Sequence, residues 1–194
     1  DCARTTSKSR VITGTPIMEL NLLAISSETT LIPDVVRSGI LNQGLESQIG
    51  LIQIDPNFAD TTEFCKQYDW PIDHSANCVV VQARRGSRIT IAACIVLAST
   101  RADINKLVKK YLDASKISMA PMDYTLEESK MEYGGVTPIG LPREWPILID
   151  KAIIPLEKII IGGGNRNTKL IVSGRLLASL PNTVIIEDLG IPNT

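Results

Sequence analysis

The sequence has few of the side chains that most enzymes use for chemistry. Among its 194 residues there is a single histidine, His74, and aromatic residues make up only 4%. A Ser-His-Asp triad would have to use His74, but the surrounding PIDHSANC contains no strained nucleophile turn. A zinc site would need three or four clustered ligands, and the histidine and cysteines are too scattered to supply them. We therefore expect no metal and no other cofactor.

Cysteine pairs and an excess of positive charge are also absent. No C-x-x-C pair occurs, and widely separated cysteines in a chain of this size indicate reduced thiols in a cytoplasmic protein. The cysteines are Cys2, Cys65, Cys78 and Cys94. The formal net charge is −1, so the whole molecule lacks the basic surface that would bind DNA. This charge balance still allows a local contact with a few phosphates.

Long apolar runs are missing as well. None reaches the roughly 18 residues of a membrane-spanning helix, and residues 1–10 are not followed by the apolar segment of a signal peptide. We therefore expect a cytoplasmic protein with no membrane partner. The many Ile, Val and Leu residues indicate an aliphatic core rich in strands. We predict an N-terminal tail or surface strap over residues 1–30 and a single domain over 31–194.

The residues that are present predict short strands mixed with short helices. A helix is expected over 32–44, and a second helix opens at the capping-box pair Asp60 and Glu63. NCVVVQARRG and RITIAACIVLAS predict two strands joined by a turn, the second of them central because both of its faces are apolar. Asp103 is expected to cap one further helix, and Thr125 with Glu128 another. Without a regular βαβ rhythm, this mixture favours an α+β fold with a curved, barrel-like mixed β-sheet surrounded by short helices.

The segment MEYGGVTPIGLP, residues 131–142, has no charged residue from Gly134 to Pro142. Glycines leave main-chain N–H groups unobstructed, and Pro138 and Pro142 stiffen the segment by fixing φ. Rigid N–H donors of this kind suit a developing oxyanion or an ester oxygen. A structural Gly-Gly turn followed by an extended segment explains the same pattern, so the residues alone leave both interpretations open.

A second glycine-rich segment, GGGNRNTKL, occupies residues 162–170. It fails the phosphate-loop pattern G-x-x-x-x-G-K-[ST], because Thr168 rather than glycine precedes Lys169. Two interpretations remain for it. It is either a tight turn between two strands, or a place where Gly163 and Gly164 let the backbone approach a ligand.

These two segments, in this order and at this separation, resemble the YbaK/prolyl-tRNA synthetase-associated domain family. That family comprises freestanding aminoacyl-tRNA deacylases and the editing domain inserted in bacterial prolyl-tRNA synthetases. The likeness also runs through SANCVVVQARRG and AACIVLASTRADINKLVKKYLDASKISMAPMD, and it covers about residues 30 to 190.

The resemblance implies hydrolysis of the ester that joins a wrong, small amino acid to tRNA, with tRNA for proline as the usual target. The expected partner is the acceptor end of aminoacyl-tRNA, with an aminoacyl-tRNA synthetase as a second partner. In this family the substrate's own ribose hydroxyl is thought to activate the water. The implied catalytic residues are Gly134, Gly135 and Asn77. The implied substrate-binding residues are Val136, Thr137, Pro138, Gly140, Arg101, Gly163, Gly164 and Lys169.

One position departs from the family pattern. Members carry a lysine at the start of the strand that reads ANCVVVQA here, where this chain has Asn77. An amide offers hydrogen bonds but no positive charge. Four interpretations remain: Asn77 acts differently, Arg101 or Lys169 supplies the charge, the substrate differs, or turnover is weak or lost. The last of these would make the protein a module that binds an aminoacyl-tRNA end without turnover.

Positive side chains near the predicted strand and helix are candidates for the tRNA contact. Arg101 is one, with a solvated arginine as the alternative. Three lysines on the outer face of the following helix form the best local patch for acceptor-stem phosphates in a near-neutral protein. They are Lys106, Lys109 and Lys110.

Overall fold

The structure is a computed structural model, and it describes residues 20–193. Its α-helices are α1 (Asp34–Leu41), α2 (Thr61–Gln67), α3 (Lys109–Tyr111), α4 (Met122–Ser129) and α5 (Gly174–Ser179). Its strands are β1 (Leu22–Leu23), β2 (Gly50–Gln53), β3 (Ala76–Arg85), β4 (Arg88–Leu97), β5 (Thr100–Ala102), β6 (Lys116–Met119), β7 (Ile147–Asp150), β8 (Ile159–Gly162), β9 (Thr168–Val172), β10 (Thr183–Ile186) and β11 (Gly190–Pro192).

The strands form three sheets. The largest has the order β10-β7-β4-β3-β6, in which β7 runs parallel to both β4 and β10 and the other pairs are antiparallel. The second is the antiparallel sheet β1-β2-β9-β8, and the third pairs β11 with β5. The mixed α+β fold is thus confirmed, as is the central position of β4.

The barrel-like closure expected from the sequence is not found in the described sheets. Both larger sheets are open, with β6 and β10 at the edges of one and β1 and β8 at the edges of the other. They meet through a single parallel bridge between Ser75 and Ile160. Strand patterns in a sequence reveal that strands exist but not which ones become edges, and the barrel prediction went wrong at that step.

The main core lies between the two larger sheets and includes one side of α1 and α5. Strand β4 buries both faces: Ala93 and Ile95 point into this core, while Ala92 and Cys94 belong to a second cluster on the far side. A third cluster lies beneath α2, where Phe64 is fully buried against the outer face of the four-stranded sheet. The four-stranded sheet is therefore covered on both sides, and α2 is fixed over it.

The helix boundaries confirm some predictions and correct others. Helix α1 lies inside the predicted range, and the Asp60 side chain caps α2 by accepting from the N–H groups of Thr62 and Glu63. Helix α4 begins at Met122, so the prediction of a cap at Thr125 was wrong. Pro121 is the N-cap residue, and because its ψ of 134° is extended the helix starts at the next residue. Asp103 caps a π-helical turn, Ile104–Val108, that leads into α3.

Part of the predicted N-terminal tail, residues 1–19, lies outside the described residues, and so does Cys2. Residues 22–23 of the same segment pair with β2. Cys65, Cys78 and Cys94 are free thiols. In the part of the chain that the structure describes, no helix is long and apolar enough to cross a membrane.

Candidate functional site

The two glycine-rich segments lie against each other. We call residues 131–142 the Gly-rich loop and residues 163–167 the β8–β9 turn. The N–H of Gly164 donates to the carbonyl of Gly135 at 2.7 Å, and the N–H of Glu132 donates to the carbonyl of Gly164 at 2.9 Å. These two main-chain bonds connect segments about thirty residues apart in sequence, and we call the place where they meet the joint.

The joint needs glycine because backbone lies where side chains would be. A Cβ on Gly135 would overlap the backbone of Asn165, and one on Gly162 would lie 2.6 Å from the carbonyl oxygen of Gly135. Gly163 faces the Thr168 side chain, and Gly164, with φ of +93°, faces Val36. The protein's own chain therefore occupies the space beside these glycines, as the tight-turn interpretation requires.

Arg166 lies at the joint and connects the β8–β9 turn to the Gly-rich loop and to Pro56. Its main-chain N–H donates to the Glu132 carboxylate at 3.0 Å, and its guanidinium donates to the carbonyls of Tyr133 at 3.4 Å and Pro56 at 3.0 Å. Sequence reasoning missed Arg166. Its position inside IGGGNRNTKL was visible, but its partners lie far away in the chain.

Main-chain donors of the Gly-rich loop stay unused by the fold. The N–H groups of Gly134, Val136 and Gly140 donate to no acceptor among the residues that the structure describes. Gly134 is exposed with φ of +79°, and Val136 is half-buried. The N–H of Gly135, by contrast, is satisfied by the carbonyl of Glu132 at 3.0 Å. The loop thus leaves several of its main-chain N–H groups without an acceptor in the described residues.

The centre of the loop, at Thr137 and Pro138, is buried. Thr137 is 0% exposed, and its hydroxyl has no hydrogen-bond partner within residues 20–193. Leaving such a group unpaired costs about 1–3 kcal/mol. The neighbouring Pro138 is also buried, so the centre of the loop is held inside the protein.

Asn77 lies at the start of β3 and next to this joint. Its Oδ1 accepts a hydrogen bond from the Thr61 hydroxyl at 2.8 Å. The bridge between Ser75 and Ile160 sets β8 alongside the start of β3, and two residues further along each strand are Asn77 and Gly162. Since Gly162 lies directly against the carbonyls of Gly135 and Val136, the fold brings Asn77 towards the Gly-rich loop.

Lys169 is paired with Gly162 across β8 and β9 and lies beneath α2, on the same face of the sheet as Asn77. It is 4% exposed, its Nζ donates to the Ala59 carbonyl at 2.7 Å, and it lies 5.5 Å from the centre of the Phe64 ring. Burial lowers the pKa of this amine to about 8, and the nearby charge of Asp60 only partly opposes the effect. Lys169 therefore contacts the residue just before the Asp60 cap, while Asn77 contacts the residue just after it.

Gly140 and Arg101 take no part in the main-chain bonds that join the Gly-rich loop to the β8–β9 turn. Gly140 approaches α1 closely, since a Cβ on Gly39 would lie 3.0 Å from the Gly140 nitrogen. The loop and α1 here border a cleft of about 610 Å³ that also contains Trp145. Arg101 lies on β5 opposite Ile191 and is exposed, and its side chain forms no hydrogen bond or ion pair in the described part of the chain.

Residues 55–180, more than half of the chain, match the sequence model of the aminoacyl-tRNA editing domain. The chain belongs to that family. The matched range contains Asn77, the Gly-rich loop and the β8–β9 turn. The family resemblance drawn from the two glycine-rich segments is thereby confirmed.

Solved structures of similar fold agree with this assignment. The crystal structure of the hypothetical protein APE2540 is 19% identical with a TM-score of 0.67, and the match covers 78% of this chain and 99% of that one. A candidate trans-editing enzyme for prolyl tRNA synthetase is 14% identical with a TM-score of 0.67, over 80% of this chain and 97% of that one. At these identities the two structures establish the shared fold.

Proposed function

We propose that this editing domain hydrolyses the ester of mischarged aminoacyl-tRNA, acting in trans on a small amino acid attached to tRNA of the proline type. The observation that carries the proposal is the Gly-rich loop, which the fold holds rigidly while leaving main-chain N–H groups unpaired. A synthetase pocket separates amino acids that differ by one methylene by only about 1–3 kcal/mol, so a second hydrolytic site is needed.

In this mechanism the ester carbonyl oxygen becomes an oxyanion when water attacks the carbonyl carbon. The unpaired N–H groups of Gly134 and Val136 would donate to that oxygen, and one such donor contributes about 10²–10³ in rate. The free hydroxyl of the terminal ribose would relay a proton from the water to the neighbouring ribose oxygen, which leaves as a hydroxyl when the acyl C–O bond breaks and the free amino acid is released. The protein then contributes mainly position, which is worth roughly 7–11 kcal/mol in favourable cases. This division of roles suits a loop whose one carboxylate, Glu132, already accepts from the main-chain N–H of Arg166.

The remaining predicted residues take supporting roles in the proposal. Thr137 and Pro138 hold the loop in place, while Gly163 and Gly164 give the β8–β9 turn its shape. Because the Lys169 amine is buried and already donates to Ala59, we assign it to supporting α2 rather than to direct substrate contact.

Hydrolysis is tested by incubating the protein with a panel of mischarged tRNAs and following loss of the ester. Gly134→Val should abolish the activity, since Gly134 has φ of +79° and a Cβ there would lie 2.9 Å from the Arg166 guanidinium. The matched control is Gly86→Val in the β3–β4 turn, where φ is +59° and no atom lies within 4 Å of the position that a Cβ would take. If no ester is lost faster than in buffer, or if Gly134→Val stays fully active, the proposal is wrong.

The second candidate function is binding of an aminoacyl-tRNA end without turnover. Asn77 favours it, because this position holds a neutral amide at the edge of the site. Binding of the same tRNA panel with no ester loss would select this function. A gain of hydrolysis in Asn77→Lys would then indicate that the scaffold is competent and that only a charge was missing.

A further inference from the structure

The hydrogen bond between Thr61 and Asn77 fixes which half of the Asn77 amide is free. The Thr61 hydroxyl donates a hydrogen bond to Oδ1 at 2.8 Å, while Nδ2 donates to no acceptor within residues 20–193. Asn77 is half-buried, so its Nδ2 is not sealed inside the protein. A carboxamide held by its oxygen presents two N–H donors in a defined direction.

Three sets of contacts fix helix α2, which begins at Thr61. The Asp60 carboxylate caps the first turn of α2, and the Lys169 ammonium donates to the Ala59 carbonyl just before it. Inside the helix, Phe64 is fully buried and stacks on Tyr68 with ring centres 4.7 Å apart. Thr61 is therefore a fixed point from which to orient a side chain on β3.

We propose that Asn77 is a catalytic hydrogen-bond donor to the substrate ester oxygen and that Thr61 is the residue that positions it. The inference rests on the proposed function and adds to it a side-chain donor beside the main-chain donors of Gly134 and Val136. Nδ2 is the unpaired part of Asn77, and the start of β3 runs beside Gly162, which the Gly-rich loop covers. The donor is neutral, so its contribution does not depend on pH.

Two substitutions test the Asn77 donor and the Thr61 hydroxyl separately. Asn77→Asp keeps an oxygen for Thr61 to donate to but removes both N–H donors, and we expect kcat to fall about 100-fold with little change in KM. Thr61→Val keeps the amide but releases its orientation, and we expect kcat to fall about 10-fold. Thr61→Ser should restore nearly all of the activity, because it keeps the hydroxyl.

The matched control is Thr62→Val, the same change at an exposed position one residue later in α2, and it should leave kcat unchanged. A spectroscopic readout adds a test of contact. The side-chain NH₂ signal of Asn77, identified by its absence in Asn77→Asp, should shift when a non-hydrolysable amide-linked aminoacyl-adenosine is added to the wild-type protein. Thermal melting of each variant shows whether it is folded.

The outcomes separate this inference from the function on which it rests. If the wild type hydrolyses mischarged tRNA while folded Asn77→Asp and Thr61→Val keep kcat within about twofold, the inference is wrong and the proposed function stands. The inference would also be wrong if the Asn77 NH₂ signal does not shift at a saturating concentration of the analogue. If the wild type hydrolyses none of the panel, both fail together.

Discussion

Lys169 shows how the fold changes the chemistry of a single residue. Burial lowers the pKa of its amine from 10.5 to about 8. Between these two pH values the unfolded chain binds more protons than the folded one, so the Lys169 contribution to stability increases with pH. We expect the free energy of unfolding of the wild type, minus that of Lys169→Met, to rise from pH 8 to 10.5 by as much as about 3 kcal/mol.

Urea unfolding of both proteins between pH 7 and 10.5 measures this difference. Subtraction removes the opposing effect of Cys94, since burial raises the pKa of this thiol to about 12 and its unfolded form ionises first. Lys66→Met, at an exposed lysine on the helix that covers Lys169, is the matched control for removing a lysine. A flat difference for Lys169→Met would contradict the burial of its amine.

The side-chain chemistry of the site could be predicted only in part from the residues. The sequence indicated that Asn77 stands where a charge was expected, and the structure places it beside the joint of the two glycine-rich segments. The sequence did not predict a role for Thr61, because this hydroxyl, sixteen residues away, meets Asn77 only when the fold brings the start of α2 next to β3. The burial of Lys169, a candidate from the sequence for supplying that charge, could not be predicted for the same reason, because burial is a property of the fold.

At the scale of elements, the Gly-rich loop and the β8–β9 turn form one unit that depends on Gly135. A Cβ there would overlap the Asn165 backbone, which cannot move as a flexible side chain would. We expect Gly135→Ala to lower the free energy of unfolding by roughly 2–3 kcal/mol through overpacking. Gly44→Ala is the control: φ is +63° but nothing lies within 4 Å, so its cost should stay near about 1 kcal/mol.

Chemical denaturation of the two variants compares these costs directly. Equal destabilisation by Gly135→Ala and Gly44→Ala would mean that the loop moves away from the turn without cost. Hydrogen exchange at Gly164 gives a local check, because its N–H donates to the Gly135 carbonyl and should lose protection when the two segments separate.

Elements defined by local patterns were predicted well, and those defined by distant contacts were not. The β3–β4 hairpin, α1 and α2 follow from periodicity, turns and caps within a few residues. The parallel placement of β7 between β4 and β10 does not, since it joins strands that are far apart in the chain. The open sheets follow from such pairings, so the barrel prediction could not have been corrected from local patterns alone.

At the scale of the whole molecule, the charge balance limits how the protein can bind tRNA. The chain carries 20 basic and 21 acidic residues, so a broad electrostatic grip on the nucleic acid is not available. Contact must be confined to the reactive end and to a small local patch. The lysines Lys106, Lys109 and Lys110 are the candidates predicted from the sequence, and they occupy the π-helical turn and α3.

Binding of an acceptor-stem hairpin should therefore depend only weakly on salt. Neutralising about three phosphates gives a slope of log Kobs against log[KCl] of about −2 to −3. Fluorescence anisotropy from about 50 to 300 mM KCl measures it. Replacing Lys106, Lys109 and Lys110 together by Gln should bring the slope close to zero, whereas the same change at exposed Lys116, Lys151 and Lys158 should leave it unchanged. A slope of about −6 or steeper, or equal effects of the two triple variants, would place the tRNA contact on another surface.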